Sequence, residues 1–303
     1  MAEVATSPTS DQLLVVIDPV ARRRDGESVR IAKDVLSGGA TTKVCLPDGP
    51  EEFARALARR GSRRPVLVGD DRALIRAVGL LHRQRELTGC ALALVPVGGA
   101  LSLARSLGVP TGAVAASRAV LEGTERRMNL LVDDSDGVVL GAVRIPPAGA
   151  ARMREEGAGG AGDAYDAEDA EDVGRDTGTV QHPWLRTCQS LVRTLVPALP
   201  PRVASAPEGG PVRLRVEVDG VTLVDLRQPV EGVSVVPGPG GVARVEVRPV
   251  SVGTEASPLL AEGHTVTVSG AHFRYRADAV VSGPVGTRTW VAREDAWGLT
   301  LPV

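Results

Sequence analysis

Lysine is nearly missing from this 303-residue chain: Lys33 and Lys43 are the whole complement, and arginine supplies the rest of the positive charge. A scheme that needs a reactive amine therefore has two candidates. Aromatic residues make up only 2%, which removes the stacking platforms on which single-stranded nucleic acid binds. A formal net charge of -2 offers no basic field to nucleic acid or an anionic membrane. Cys45, Cys90 and Cys188 stand too far apart for a CxxC redox pair or a paired zinc motif, and they read as reduced thiols. No segment reaches the roughly 18–20 uninterrupted apolar residues of a membrane span, and residues 1–12 lack the charge and apolar run of a secretory leader. The expectation is a cytoplasmic protein with no transmembrane segment and no nucleic-acid partner, with peripheral contact to a membrane left open.

Apolar residues at 43% and charged residues at 24% lie in the globular range, and the length suits two domains. Leu13 to Ile17 is a continuous β-rich run ending at Asp18-Pro19, followed by a basic turn at Arg22-Arg23-Arg24 and a helical pattern over about Glu27 to Leu36. Strand patterns at Thr42–Leu46, Pro65–Val68 and Ala91–Val95 alternate with helical ones at Pro50–Arg60, Ala73–Arg83 and Leu101–Leu107. Strands that are apolar throughout belong to a parallel sheet covered on both faces. From Ala151 the texture changes. Arg154 to Asp176 is acidic, low in complexity and nearly free of large apolar side chains, so it reads as a mobile insertion. After one helical pattern at Trp184–Leu195, the remainder from Val212 reads as short alternating strands punctuated by Gly and Pro, an antiparallel β domain. The division expected is a flexible tail over 1–12, an α/β domain over 13–132, and a β domain over 133–303 interrupted at about 151–180, with the last strand free to return to the first domain.

Several motif matches fail on context. Gly157, Gly159 and Gly162 satisfy GxGxxG, but no strand precedes them. Asp133-Asp134-Ser135-Asp136-Gly137 has the look of a calcium loop, yet Val132 and Val143 stand at the first and last ligand positions, so it reads as a surface turn. Neither lysine follows a glycine, which excludes a Walker A loop, and the four histidines are scattered. Two strand-to-helix junctions carry more. They are Val66-Leu67-Val68-Gly69-Asp70-Asp71-Arg72-Ala73-Leu74 and the segment from Pro96 through Gly98, Gly99 and Ala100 to Pro110. Open α/β sheets bind ligands at the carboxyl ends of their strands. Glycines at such turns admit a phosphate to the helix N-terminus, and an Asp there can coordinate Mg²⁺. Tight-turn glycines with Asp71 as an N-capping residue account for the first junction equally well.

These segments resemble the diacylglycerol kinase catalytic-domain family, which includes the sphingosine kinases. That family's opening NPxSG stands here as Asp18-Pro19-Val20-Ala21-Arg22, its GGDGTLNE loop as Gly69 to Arg76, and its PLGTxNDFARxLGxP segment as Pro96 to Pro110, with Pro96, Gly98, Ala104, Arg105, Leu107, Gly108 and Pro110 kept. Arg126-Arg127-Met128-Asn129-Leu130 is similar to its R-x-x-D-L strand, with Asn129 for Asp. The resemblance implies a Rossmann-like α/β domain followed by a C-terminal antiparallel β-sandwich. It implies an ATP and Mg²⁺ site at Asp18, Gly69, Asp70, Asp71, Arg72, Gly98, Gly99 and Ala100, with Asp71 the metal ligand, and a lipid in the cleft between domains. It also places the family's general base, the Asp of a DGE turn before the last strands, at Ser282 in Ser282-Gly283-Pro284.

The departures fall on the chemistry. Asp70 and Arg72 replace loop glycines, Ala73 lacks the Thr hydroxyl, Leu101 and Ser102 replace an Asn-Asp pair, and Ser282 is no base. Phosphoryl transfer rests on positioning and electrostatics, so losing them together should leave essentially no turnover. The reading is a degenerate lipid kinase, a pseudokinase retained for binding or regulation and needing no cofactor. The alternative is an active ATP- and Mg²⁺-dependent lipid kinase rewired onto Asp71, Asp18 or Asp133-Asp134. A third expectation is a protein partner docked on the acidic insertion. The Ala, Gly, Val and Arg bias suggests a bacterial gene.

Overall fold

The computed structural model describes residues 12–147, 211–250 and 257–303. The N-terminal tail, the acidic insertion with its Gly157–Gly162 pattern, the Trp184–Leu195 helical pattern and Cys188 lie outside the described residues.

Strand β1 (Gln12–Ile17) pairs in parallel with β2 (Thr41–Cys45) on one side and β3 (Arg64–Gly69) on the other, and β3 pairs in parallel with β4 (Ala91–Pro96). Helices α1 (Pro19–Arg24), α2 (Gly26–Gly39), α3 (Pro50–Ala58), α4 (Asp71–Arg83), α5 (Ser102–Ser106) and α6 (Ala113–Glu122) alternate with these strands. Period-two packing sorts the side chains onto two faces. Leu13, Val15, Ile17, Val66 and Val68 share a core with Ala32 and Leu36 of α2 and Val120 of α6. Leu14, Val16 and Leu67 share another with Phe53 and Leu57 of α3 and Leu74, Ala77 and Leu81 of α4. Both faces of β1, β3 and β4 are covered, which is why Leu13–Ile17, Val66–Val68 and Leu92–Val95 are continuous apolar runs. Helix starts follow ordinary capping: Asp25 accepts from Ser28 N ahead of α2, and Pro50 with Glu51 and Glu52 opens α3. The Arg22–Arg24 segment, expected as a turn, is the end of α1, because Asp18 caps a helix that begins at Pro19.

The C-terminal half is built from β5 (Thr124–Asp133), β6 (Val138–Val139), β7 (Val143–Ile145), β8 (Val212–Val218), β9 (Val221–Val224), β10 (Pro229–Pro237), β11 (Ala243–Pro249), β12 (Leu259–Gly263), β13 (Thr265–Ala277) and β14 (Val280–Leu301). Their ladders are antiparallel, and β7 and β8 both lie between β10 and β13 along different stretches. Inward-facing Leu214, Val216, Val235, Val245, Val266, Val268 and Trp290 form a separate core.

Strand β14 belongs to both halves. Its first part, Val280 to Val291, pairs with β13. Its last part enters the α/β sheet, where Gly298 and Leu299 pair in parallel with Ala91 and Leu92 of β4 and Trp297 to Leu301 pair antiparallel with Thr124 to Met128 of β5. The α/β sheet thus runs β2-β1-β3-β4-β14-β5. The chain has the mixed α/β and β architecture expected.

Candidate functional site

Three loops meet at the carboxyl ends of β1, β3 and β4. Asp18 N donates to Val68 O (2.9 Å), Val97 N to Gly69 O (2.9 Å) and Asp71 N to Ala100 O (2.9 Å). The structure therefore brings Asp18, Gly69, Asp70, Asp71, Gly98, Gly99 and Ala100 together, as the sequence places them.

Each of these residues has a local task. The Asp18 carboxylate, 4% exposed, accepts from Val20 N (2.7 Å) at the start of α1 and from Arg76 Nη1 (2.8 Å). The Arg76 guanidinium also lies 5.5 Å from the centre of the Phe53 ring, so one arginine ties α4 to the end of β1 and to α3. A methyl group on Gly69 would stand 2.8 Å from Ala73 Cβ and 3.0 Å from Asp18 Cβ, so this glycine serves the close approach of two loops. Gly98 has φ +131°, and a methyl there would stand 3.2 Å from Asp70 Cβ. The Arg24 guanidinium lies over Gly99.

Asp70 and Asp71 each face the start of a helix. The residue that caps α4 is Asp70, not Asp71: its Oδ1 accepts from Arg72 N (3.1 Å) and Ala73 N (3.3 Å). Asp71, 1% exposed, turns away from its own helix to the start of α5. There it accepts from Leu103 N (2.8 Å), Ala104 N (2.9 Å) and Ser102 Oγ (3.3 Å). Backbone amide donors at two helix starts are thus held by two carboxylates of the chain itself. Arg72 is exposed on the first turn of α4.

Ser282 is not in the turn ahead of the last strand. It lies inside β14 opposite Tyr275. Gly283 (φ +101°) and Pro284 form a bulge in that ladder, where pairing passes from Phe273–Val285 to Tyr275–Ser282. The hairpin turn is Asp278-Ala279, between the paired Ala277 and Val280, and Asp278 takes the positive φ of 49° that a two-residue hairpin asks of its first residue. Its backbone N donates to Ala142 O (2.9 Å). Its carboxylate accepts from Leu140 N (2.8 Å), Gly141 N (2.8 Å) and Ala142 N (2.9 Å). Burial pushes the Asp278 carboxyl above the usual aspartate range, the three backbone donors oppose that shift, and the charge of Asp71 adds to it. A methyl on Gly141 would meet both Leu103 Cδ1 (2.8 Å) and Asp278 Oδ1 (3.0 Å), which sets the turn against α5 and the Asp71 loop. Sequence reading missed Asp278. The available signal was an Asp followed by a small residue between two alternating strands.

Two other marked residues are structural. Asn129 donates from Nδ2 to Gly238 O (2.6 Å) and accepts at Oδ1 from Asp295 N (2.9 Å), across the irregular stretch of the β5–β14 ladder. Asp133 accepts from Ser135 N, Ser135 Oγ and Gly137 N, closing the turn between β5 and β6. Among the described residues, no group of three or more His, Cys, Asp and Glu converges as a metal-ligand set. Among them also, no helix is long and apolar enough to cross a membrane.

A parallel α/β sheet completed by a strand from an antiparallel β half, with three loops gathered at its carboxyl edge, defines a mixed α/β fold. Among solved structures it is similar to the "putative diacylglycerol kinase" of Bacillus anthracis str. Sterne, with a TM-score of 0.63 and 12% identity over 97% of this chain and 99% of that one. A second structure, of a diacylglycerol kinase from the same organism, gives a TM-score of 0.62 and 9% identity over 96% and 97%. The chain has a diacylglycerol-kinase-like fold. No protein-family model matches the sequence, and no curated protein does.

Proposed function

We propose that this protein is a degenerate lipid kinase, with the fold of a diacylglycerol kinase retained for binding or regulation and phosphorylation of a lipid hydroxyl lost or reduced to a trace. The observation that carries the reading is the placement of Asp70 and Asp71. Their carboxylates hold the backbone donors at the starts of α4 and α5. A nucleotide phosphate arriving there would have to displace one negative charge while facing another, and Asp18 and Asp278 add two more nearby carboxylates. The residues present do not fit the phosphates of ATP, and Asp71, with both oxygens engaged by α5, does not fit a Mg²⁺ ligand.

Asp278 supports the second reading, an active kinase with a rewired site. A carboxylate raised by burial is a stronger base than an ordinary aspartate, and this one stands at the hairpin where the resemblance expects a base. Phosphate transfer from radiolabelled ATP to mixed lipids separates the two. The degenerate reading predicts no transfer and no calorimetric binding of Mg²⁺-ATP by the wild type. It also predicts measurable nucleotide binding after Asp70→Gly with Arg72→Gly, which frees the α4 amides. Transfer by the wild type that falls in Asp278→Asn overturns the degenerate reading in favour of the active one.

A further inference from the structure

A cleft beside the edge strand β2, on the face covered by α3, belongs to neither reading. Helix α3 follows β2 but packs back over β1, so the end of β2 is left with an open notch on the α3 side. The notch is a cavity of about 320 Å³ lined by Leu14, Lys43, Cys45, Leu46, Pro47, Glu52, Arg55, Ala56 and Arg59. Its chemistry is divided. Ala56, half-buried, and Leu46, 52% exposed at the rim, supply its accessible apolar surface. Above them stand three exposed cations, Lys43, Arg55 and Arg59, against a single carboxylate, Glu52. That carboxylate is already engaged, accepting from Asp48 N (2.9 Å). Among the described residues, none of the ion pairs involves Lys43, Arg55 or Arg59. Of the nearby arginines, Arg22 pairs with Asp48 and Arg60 with Glu86. A chain with two lysines has placed one of them here.

We propose that this notch binds a small anionic amphiphile, a phosphate or carboxylate head carrying a short apolar chain. The head group meets Lys43, Arg55 and Arg59, and the chain lies against Ala56 and Leu46. Arginine supplies paired donors for such a head, and lysine a point charge. Burying apolar chain there adds about 0.8 kcal/mol per methylene removed from water, so head and chain should each be necessary.

The test is calorimetric titration of the full chain with octyl phosphate below its micelle concentration, alongside inorganic phosphate and octyl glucoside. The expected result is saturable binding of one octyl phosphate per chain that weakens as salt rises, with both comparison compounds weaker by about tenfold or more. Lys43→Gln with Arg59→Gln should weaken octyl phosphate by a similar factor while leaving the melting temperature unchanged, since both side chains are exposed. Leu46→Glu should also weaken binding, through the rim. Absence of saturable binding overturns the proposal. So does equal binding of octyl glucoside, which would make the cations irrelevant, or equal binding of inorganic phosphate, which would leave a simple anion site. A self-associated chain whose notch is closed by a second copy, seen by sedimentation, also overturns it. None of these outcomes bears on the Asp70–Asp71 site, which lies at other strand ends.

Discussion

Aspartate plays four different parts within a few residues' reach of the candidate site, and each part is set by where the backbone donors are. Asp70 turns to its own helix, Asp71 to the next one, Asp18 divides itself between α1 and Arg76, and Asp278 clamps a loop from a turn in the other half. Three were marked in the sequence by their neighbours; the donors to Asp70 are local, but Arg76 lies 58 residues from Asp18, and Leu103 and Ala104 lie 32 and 33 from Asp71, pairings that local patterning does not reveal. The turn expected at Ser282-Gly283-Pro284 lies elsewhere for a physical reason: Gly283-Pro284 has the composition of a turn but serves a bulge, whereas the hairpin turn uses Asp278 at positive φ. The raised carboxyl of Asp278 fixes the sign of a pH effect. In the interval between the ordinary aspartate value of 3.8 and its raised value, the folded state holds more protons than the unfolded one, so this group's contribution to stability declines as pH rises through that interval. The expected outcome is that the wild type loses stability relative to Asp278→Asn across that interval, followed by urea midpoints at a series of pH values. A difference independent of pH would show that Asp278 has no raised value.

At the scale of elements, the strand-to-helix turn after β3 is the piece on which the loops converge. Gly69→Ala places a methyl within 2.8 Å of Ala73 Cβ and 3.0 Å of Asp18 Cβ, neither of which is the end of a flexible chain. The expected cost is about 1–3 kcal/mol, read from chemical denaturation, with loss of the Asp18–Arg76 pair visible as altered proton exchange at the arginine. A change below a few tenths of a kcal/mol would mean that the turn yields freely. Most elements of the α/β half were legible because β1, β3 and β4 are buried on both faces and the intervening helices carry their caps and apolar stripes in plain sequence. Boundaries shifted where capping decided them, as at α1, which the run of three arginines disguised. The long β14 was read as separate short strands, since its bulge and the irregular stretch near Glu294 break the alternation that marks a strand.

For the whole molecule, the decisive element is the strand shared by the two halves. Trp290 sits in the core of the β half and Trp297 in that of the α/β half, on the same strand. Described residues of both halves fall into one compact unit. The expected behaviour is a single cooperative transition. In a Trp184→Phe, Trp297→Phe variant, emission from Trp290 should report the β half. The far-UV helix signal arises from the α/β half among the described residues, and the two urea midpoints should coincide. Separate midpoints would mean that β14 links two independently stable bodies.

The same strand also sets an order of events during synthesis. The α/β half is translated first, yet its sheet lacks the member that joins β4 to β5 until residues 297–301 have left the ribosome. Until then the outer edge of β4 and one edge of β5 stand with open backbone donors and acceptors, a condition that invites pairing with other chains. The protein therefore carries this exposure to misassembly while it is being made, and it ends only when residues 297–301 join the sheet.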